Sequence, residues 1–120
     1  MIISMNEYKV KFYQDDKENL PVLNYIEKST KKEKAKIFKY IEFLKENDGY
    51  LDEPYSRHIK GKIRELRVDF NKNKHRIFYF TFIKRTIVLL HAFLKKTPIK
   101  EIRKAEKNYK NVKDKPKIYE

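Results

Sequence analysis

The stretch IRELRVDFNKNKHRIFYFTFIKRTIVLLHAFL, running from Ile63 to Leu94, decides the fold. Its first part alternates: Leu66, Val68 and Phe70 are apolar, and Glu65, Arg67 and Asp69 between them are charged. A period of 2 puts the two sets on opposite faces of a β-strand. Asn71-Lys72-Asn73-Lys74 then reads as a hairpin turn, because asparagine tolerates left-handed backbone. A second strand is predicted from His75 to Ile83, and Lys84-Arg85 turns the chain into a third, Thr86 to Leu94. These two are apolar at nearly every position, as central strands covered on both faces are.

Working outward, Tyr8-Lys9-Val10-Lys11-Phe12-Tyr13 alternates apolar or aromatic with basic residues and predicts a further strand. Pro21 lies near the start of a short helix with Val22, Leu23 and Ile26 on one side. Thr30 and Glu33 form a capping box that opens a longer helix, whose Ile37, Phe38, Ile41 and Leu44 share a side and whose natural stop is Gly49. Leu51 to Ser56, with Pro54, reads as a loop. Beyond the third strand of the meander, Thr97 as N-cap and Pro98 as first helical residue start a final helix, with Ile99, Ile102 and Ala105 inward and an end near Asn111.

This order predicts an α+β domain. A small antiparallel sheet, made of the N-terminal strand plus a three-stranded meander, packs with two N-terminal helices and one C-terminal helix. Residues 1–111 form one domain, and residues 112–120 a polar tail, loosely held, in which Ile118 and Tyr119 could still dock.

The chain has 120 residues, with 30 lysines and arginines against 17 acids, a net charge of +13. Such self-repulsion is best tolerated when the partner is a polyanion, and nucleic acid is the first expectation; composition alone fits equally well a lysine excess that only solvates the surface. The absence of cysteine excludes a disulfide framework and a thiolate zinc site, and three scattered histidines make a poor metal cluster. No metal and no cofactor are expected. No apolar run approaches the roughly 20 residues that span a bilayer, and the first residues do not read as a signal peptide, so a cytoplasmic protein with no membrane partner is expected.

The basic residues are not evenly spread. Arg57, Lys60, Lys62, Arg64, Arg67, Lys72, Lys74 and Arg76 face only Glu65 and Asp69 in the same interval. Lys95, Lys96, Lys100, Arg103 and Lys104 form a second cluster at the end of the last strand and on the final helix. An antiparallel meander returns the last strand beside its predecessor, so Lys95 and Lys96 are expected near Arg76. Taken singly, each feature also has a structural explanation. Glu65 and Arg67 can be an exposed ion pair, Arg76 a strand-end cation and His91 a hydrogen-bonded core histidine.

Taken in order, four motifs resemble a family: Ile63-Arg64-Glu65-Leu66-Arg67-Val68, His75-Arg76-Ile77-Phe78-Tyr79-Phe80, Val88-Leu89-Leu90-His91-Ala92-Phe93-Leu94-Lys95-Lys96-Thr97-Pro98, and Glu101-Ile102-Arg103-Lys104-Ala105. They are similar to the RelE/HigB-like toxins of bacterial type II toxin-antitoxin systems, in the phage-derived host-killing branch. The resemblance implies a metal-independent endoribonuclease (an mRNA interferase, hence a hydrolase in the broad sense) that cuts mRNA on the translating ribosome and so inhibits translation. In that chemistry the 2′-hydroxyl of one nucleotide attacks its own 3′ phosphate.

The resemblance further implies roles residue by residue. Glu65 is a candidate general base and Arg67 a phosphate clamp. Arg76 would hold the scissile phosphate, Lys95 and Lys96 would neutralise the leaving oxygen or neighbouring phosphates, and His91 is a candidate acid or a structural support. Arg57, Lys60, Lys62 and Lys74 would hold RNA through phosphate contacts. The implied partners are mRNA, the ribosome and a cognate antitoxin, a helix-turn-helix protein through which operator DNA is bound. Two rivals are a basic RNA- or ribosome-binding module that does not cut, and a topoisomerase-poisoning toxin of the same fold.

Overall fold

The computed structural model describes residues 7–82, 85–95 and 98–120. The readings that placed a strand end at Ile83, a turn at Lys84, a catalytic cation at Lys96 and an N-cap at Thr97 lie outside the described residues.

Five strands and three helices follow in the order β1 (Lys9–Phe12), α1 (Pro21–Glu27), α2 (Lys31–Glu46), β2 (Ser56–Lys60), β3 (Ile63–Phe70), β4 (Asn73–Phe82), β5 (Thr86–Leu94) and α3 (Pro98–Asp114). They form one sheet in the spatial order β1-β5-β4-β3-β2. The α+β class and the meander of β3, β4 and β5 stand as the sequence indicates. Two details differ. β1 pairs parallel with β5, Lys9 against Thr86 and Phe12 against Leu89, so the sheet is mixed and not wholly antiparallel. Alternation shows that a strand has a buried face and says nothing about the direction of its neighbour.

The second difference is β2, in a region read as loop up to Ser56. This edge strand carries Arg57, His58 and Lys60 and a single aliphatic residue, Ile59, so it has too little hydrophobic alternation to announce itself. It is held from below. Ser56, fully buried, is hydrogen-bonded to the Tyr79 hydroxyl at 2.7 Å and accepts from Arg64 Nε at 3.3 Å. Gly61, at φ +56°, turns β2 back into β3.

Both faces of the sheet are covered. On one, α1 and α2 lay Val22, Ile26, Ile37, Ile41 and Leu44 against Leu66, Val68, Ile77, Tyr79, Ile87 and Leu89. On the other, Ala105 and Val112 of α3 pack with Phe78, Phe80, Val88, Leu90 and Phe93. The helix runs to Asp114, past the expected end at Asn111. The segment expected as a loose polar tail also packs. Pro116–Tyr119 makes one 3₁₀ turn, Tyr119 is 2% exposed, and its hydroxyl accepts from the Gln14 backbone N–H at 2.9 Å.

The capping box forms and extends beyond capping. Thr30 Oγ1 accepts from the Glu33 N–H at 3.2 Å and donates to Glu33 Oε1 at 2.8 Å. The other carboxylate oxygen receives Asn73 Nδ2 at 2.9 Å and His75 Nε2 at 2.6 Å, while the Tyr25 hydroxyl is hydrogen-bonded to His75 Nδ1 at 2.7 Å. An ionised carboxylate can only accept, so Nε2 carries the proton in this arrangement. This buried chain ties α1 and α2 to the first residues of β4.

Candidate nucleic-acid interface

The α3 face of the sheet is apolar at one end and charged at the other, and strand register sets the layout. Across β2, β3, β4 and β5, Arg57 lies opposite Glu65, Glu65 opposite Phe78, and Phe78 opposite His91. In the next row Arg67 pairs with Arg76 and Arg76 with Phe93. Beyond it Asp69 pairs with Lys74, whose carbonyl accepts the Lys95 N–H at 2.9 Å.

His91 reaches this face because β5 is irregular. Leu89 is paired with Tyr79 and His91 with Phe78, which leaves Leu90 as the extra residue of a β-bulge. The freed Leu90 carbonyl accepts Asn108 Nδ2 from α3 at 2.8 Å. A regular strand would send His91 to the α1–α2 face, whereas the bulge resets the parity so that Leu90, His91 and Phe93 all face α3. The imidazole lies stacked over Phe93, with centroids 5.5 Å apart, and its Nε2 meets Glu101 Oε2 at 2.7 Å.

A small cavity of about 50 Å³ brings Arg57, Glu65, Arg67 and Lys95 around a floor that includes Phe78 and Phe93. Glu65 is 7% exposed and is flanked by Arg57 Nε at 3.5 Å and Arg67 Nε at 3.7 Å. The carboxylate thus sits between two guanidinium groups, each close enough for an ion pair.

Arg76, expected either to hold the scissile phosphate or to be a strand-end cation, is buried. It is 1% exposed and does not line the cavity, and its Nη1 donates to Asp69 Oδ1 at 2.6 Å and to the His75 carbonyl at 2.9 Å. Asp69 is more than half exposed. Partial burial raises its carboxyl pKa, but the hydrogen bond from Arg76 and the charges of Arg76, Lys74 and Arg67 outweigh this and hold it below the usual carboxylate range.

The four residues expected to bind RNA separate. Arg57 belongs to the cavity, and Lys74 to the row beside it. Lys60 is paired with Glu106 of α3 at 3.0 Å, and Lys62 lines a different hollow near Phe80 and Tyr109. Sequence reasoning left out Asp69 and Glu101 as partners of Arg76 and His91. Strand parity puts Asp69 on the face of Glu65 and Arg67, so that signal was present; Glu101 carried none beyond its place on the last helix.

A roomier hollow, about 630 Å³, lies between α2 and residues 47–55, lined by Lys36, Lys39, Tyr40, Phe43 and Tyr55 among others. It contains neither carboxylate nor histidine, so it offers no acid–base pair. Among the described residues no group of three or more His, Cys, Asp or Glu side chains is arranged to hold a metal ion, and no helix is long and apolar enough to cross a membrane.

The fold is similar to that of a solved bacterial toxin. The free-state structure of a mutant of the E. coli toxin RelE superposes with a TM-score of 0.58 at 15% identity, covering 84% of this chain and 96% of that one. The family is given by sequence: residues 10–110 match the model of the phage-derived Gp49-like proteins (DUF891), and the chain belongs to that family. Among curated proteins no match was found.

Proposed function

We propose that this protein is the toxin of a type II toxin-antitoxin pair, an endoribonuclease that cleaves mRNA on the translating ribosome and thereby arrests translation. The observation that carries this reading is the gathering of Glu65, Arg57, Arg67 and Lys95 over an aromatic floor, on the face of a RelE-like sheet. That set fits the three tasks of cleavage by an internal 2′-hydroxyl. Glu65 accepts the hydroxyl proton, Arg67 and Arg57 carry the charge that builds on the phosphoryl oxygens, and a cation or an acid meets the departing 5′ oxygen. Lys95 serves as that cation; His91, oriented by Glu101, is the alternative donor from the same row as Glu65. Two strand spacings separate Glu65 from His91, roughly 10 Å, a span that can straddle a phosphodiester.

The reading implies that Arg57 and Lys74 hold flanking phosphates. It also implies a helix-turn-helix antitoxin that neutralises the toxin in the cytoplasm and binds operator DNA as part of the complex. The test is induction of the chain alone in bacteria with mapping of transcript 5′ ends. Growth arrest with codon-phased cuts is expected, and its absence overturns the proposal. DNA breaks with intact mRNA would instead identify a topoisomerase poison.

One observation favours a second reading, a basic module that binds ribosomes without cutting: Glu65 and Arg76 are both held by internal ion pairs. Glu65→Gln separates the two. An enzyme loses cleavage by about 10² or more with RNA binding kept or improved. A pure binder shows no cleavage to lose.

A further inference from the structure

We infer that Asp69 is a resident counter-anion of the Arg76 guanidinium, which a phosphate group displaces on binding; the inference rests on the reading of this face as a phosphate-binding surface. Three observations carry it. First, Arg67 and Arg76 stand directly opposite each other on neighbouring strands, an arrangement of like charges that needs an anion close by. Second, Arg76 is 1% exposed, and a buried cation with no partner is strongly unfavourable, so some oxyanion must always meet Nη1. Third, that oxyanion belongs to Asp69, the penultimate residue of β3, whose side chain is 59% exposed and so already lies largely in water.

Both arginines also keep a buried Nε with no hydrogen-bond partner among the described residues. Donors left unmade beside an ion pair describe a receptor filled by a smaller ligand than it can take: a carboxylate offers two oxygens in one plane, a phosphodiester a tetrahedral set. Asp69 is therefore a positioning residue. It keeps Arg76 extended toward the face, and it suppresses binding of weak anions because any ligand must first replace it. The other charged groups on this part of the face are Arg67, Lys74 and Lys95, all cations, together with Glu65, which is held by Arg57 and Arg67.

The experiment compares Asp69→Asn with the wild type at constant ionic strength, using inorganic phosphate and a short RNA made uncleavable by 2′-deoxy substitution. Asparagine keeps the acceptor oxygen for Arg76 and removes the charge. Phosphate and RNA are both expected to bind the variant roughly tenfold more tightly. Asp69→Glu, which restores the charge, should return to the wild-type affinity. If phosphate binds Asp69→Asn no better than the wild type, displacement is wrong whatever RNA does. If phosphate gains and RNA binds neither protein, displacement stands and the RNA reading fails. Should the variant not fold, the wild-type Asp69 carboxyl can be followed by ¹³C NMR as phosphate is added. Its lowered titration must move up toward the ordinary carboxylate range on saturation, and an unmoved titration overturns the inference.

Discussion

Replacing Glu33 by glutamine should destabilise the protein at neutral pH and much less in acid. Glu33 is 5% exposed at the start of α2, and its carboxylate accepts from Thr30, Asn73 and His75 at 2.6–2.9 Å. The hydrogen bond from His75 is the largest cause that takes its pKa from 4.5 to about 2, followed by those from Asn73 and Thr30. Glutamine keeps the size and one acceptor oxygen but loses the charge, and its amide N–H₂ then faces donors. Hydrogen bonds to charged groups contribute about 1.5–3 kcal/mol each, and part of this survives in the amide, so a net loss of about 2–3 kcal/mol is expected. For a chain of this size that lowers Tm by about 10 °C. The sign of the pH effect follows from the depressed pKa. Glu33 contributes fully above its unfolded value of 4.5, and the contribution disappears as pH falls toward the folded value of about 2. Urea unfolding of both proteins, followed by circular dichroism from about pH 7 to pH 2.5, reads the difference directly. The gap between them should close steadily below about pH 5. A gap under about 0.5 kcal/mol at neutral pH, or one of constant size down the whole range, would refute the account of Glu33 as an ionised hub.

Three further outcomes follow from the same geometry. Gly49 and Gly61 both have positive φ, but a Cβ at Gly49 would lie 2.5 Å from Thr81 Oγ1, whereas at Gly61 it meets nothing within 4 Å. Gly49→Ala should therefore cost about 2–3 kcal/mol and Gly61→Ala about 1 kcal/mol by thermal unfolding, and equal costs would show that only backbone strain matters. Removing residues 116–120 should lower stability by about 2–3 kcal/mol, since it exposes the pocket filled by Tyr119, and a truncated chain as stable as the full one would mean that the turn only rests on the surface. If the proposed cleavage holds, Glu101→Gln should lower its rate and shift its pH profile with little effect on RNA binding, because it alters the partner of His91 and otherwise loosens only an exposed pair with Lys104; an unchanged profile assigns His91 a packing role.

The sheet was legible where hydrophobic periodicity was strong. The even positions of β3 and the continuous apolar runs of β4 and β5 leave little choice of structure, and β5 ends at Leu94 as the pattern requires. β2 was hidden because an edge strand rich in charge lacks that periodicity, and its anchor is a polar contact, Ser56 to Tyr79, that no local pattern reports. The direction of β1 was hidden because pairing partners are a tertiary matter. The candidate site was legible as a set of residues and not as a geometry. Glu65, Arg67 and Lys95 come together, but the position of His91 turned on one inserted residue, Leu90, and the burial of Arg76 on one acid, Asp69.

The layout of β3 and β4 shows how a small domain tolerates such a face. Placing Arg67 against Arg76, and burying the second, works against folding. The opposite faces of the same strands supply what offsets it: Leu66, Val68, Ile77 and Tyr79 are fully buried against α1 and α2, and the Glu33–His75–Tyr25 chain clamps the first residues of β4 to the same helices. His75 and Arg76 are adjacent, so the residue that joins β4 to that chain is the one whose carbonyl takes the second hydrogen of Arg76 Nη1. One face of each strand thus holds the fold, and the other carries two facing arginines whose buried Nε atoms have no hydrogen-bond partner among the described residues. An arrangement that is costly as architecture and lies beside a cavity lined by Glu65 and Lys95 is one that the proposed binding of an external anion would complete.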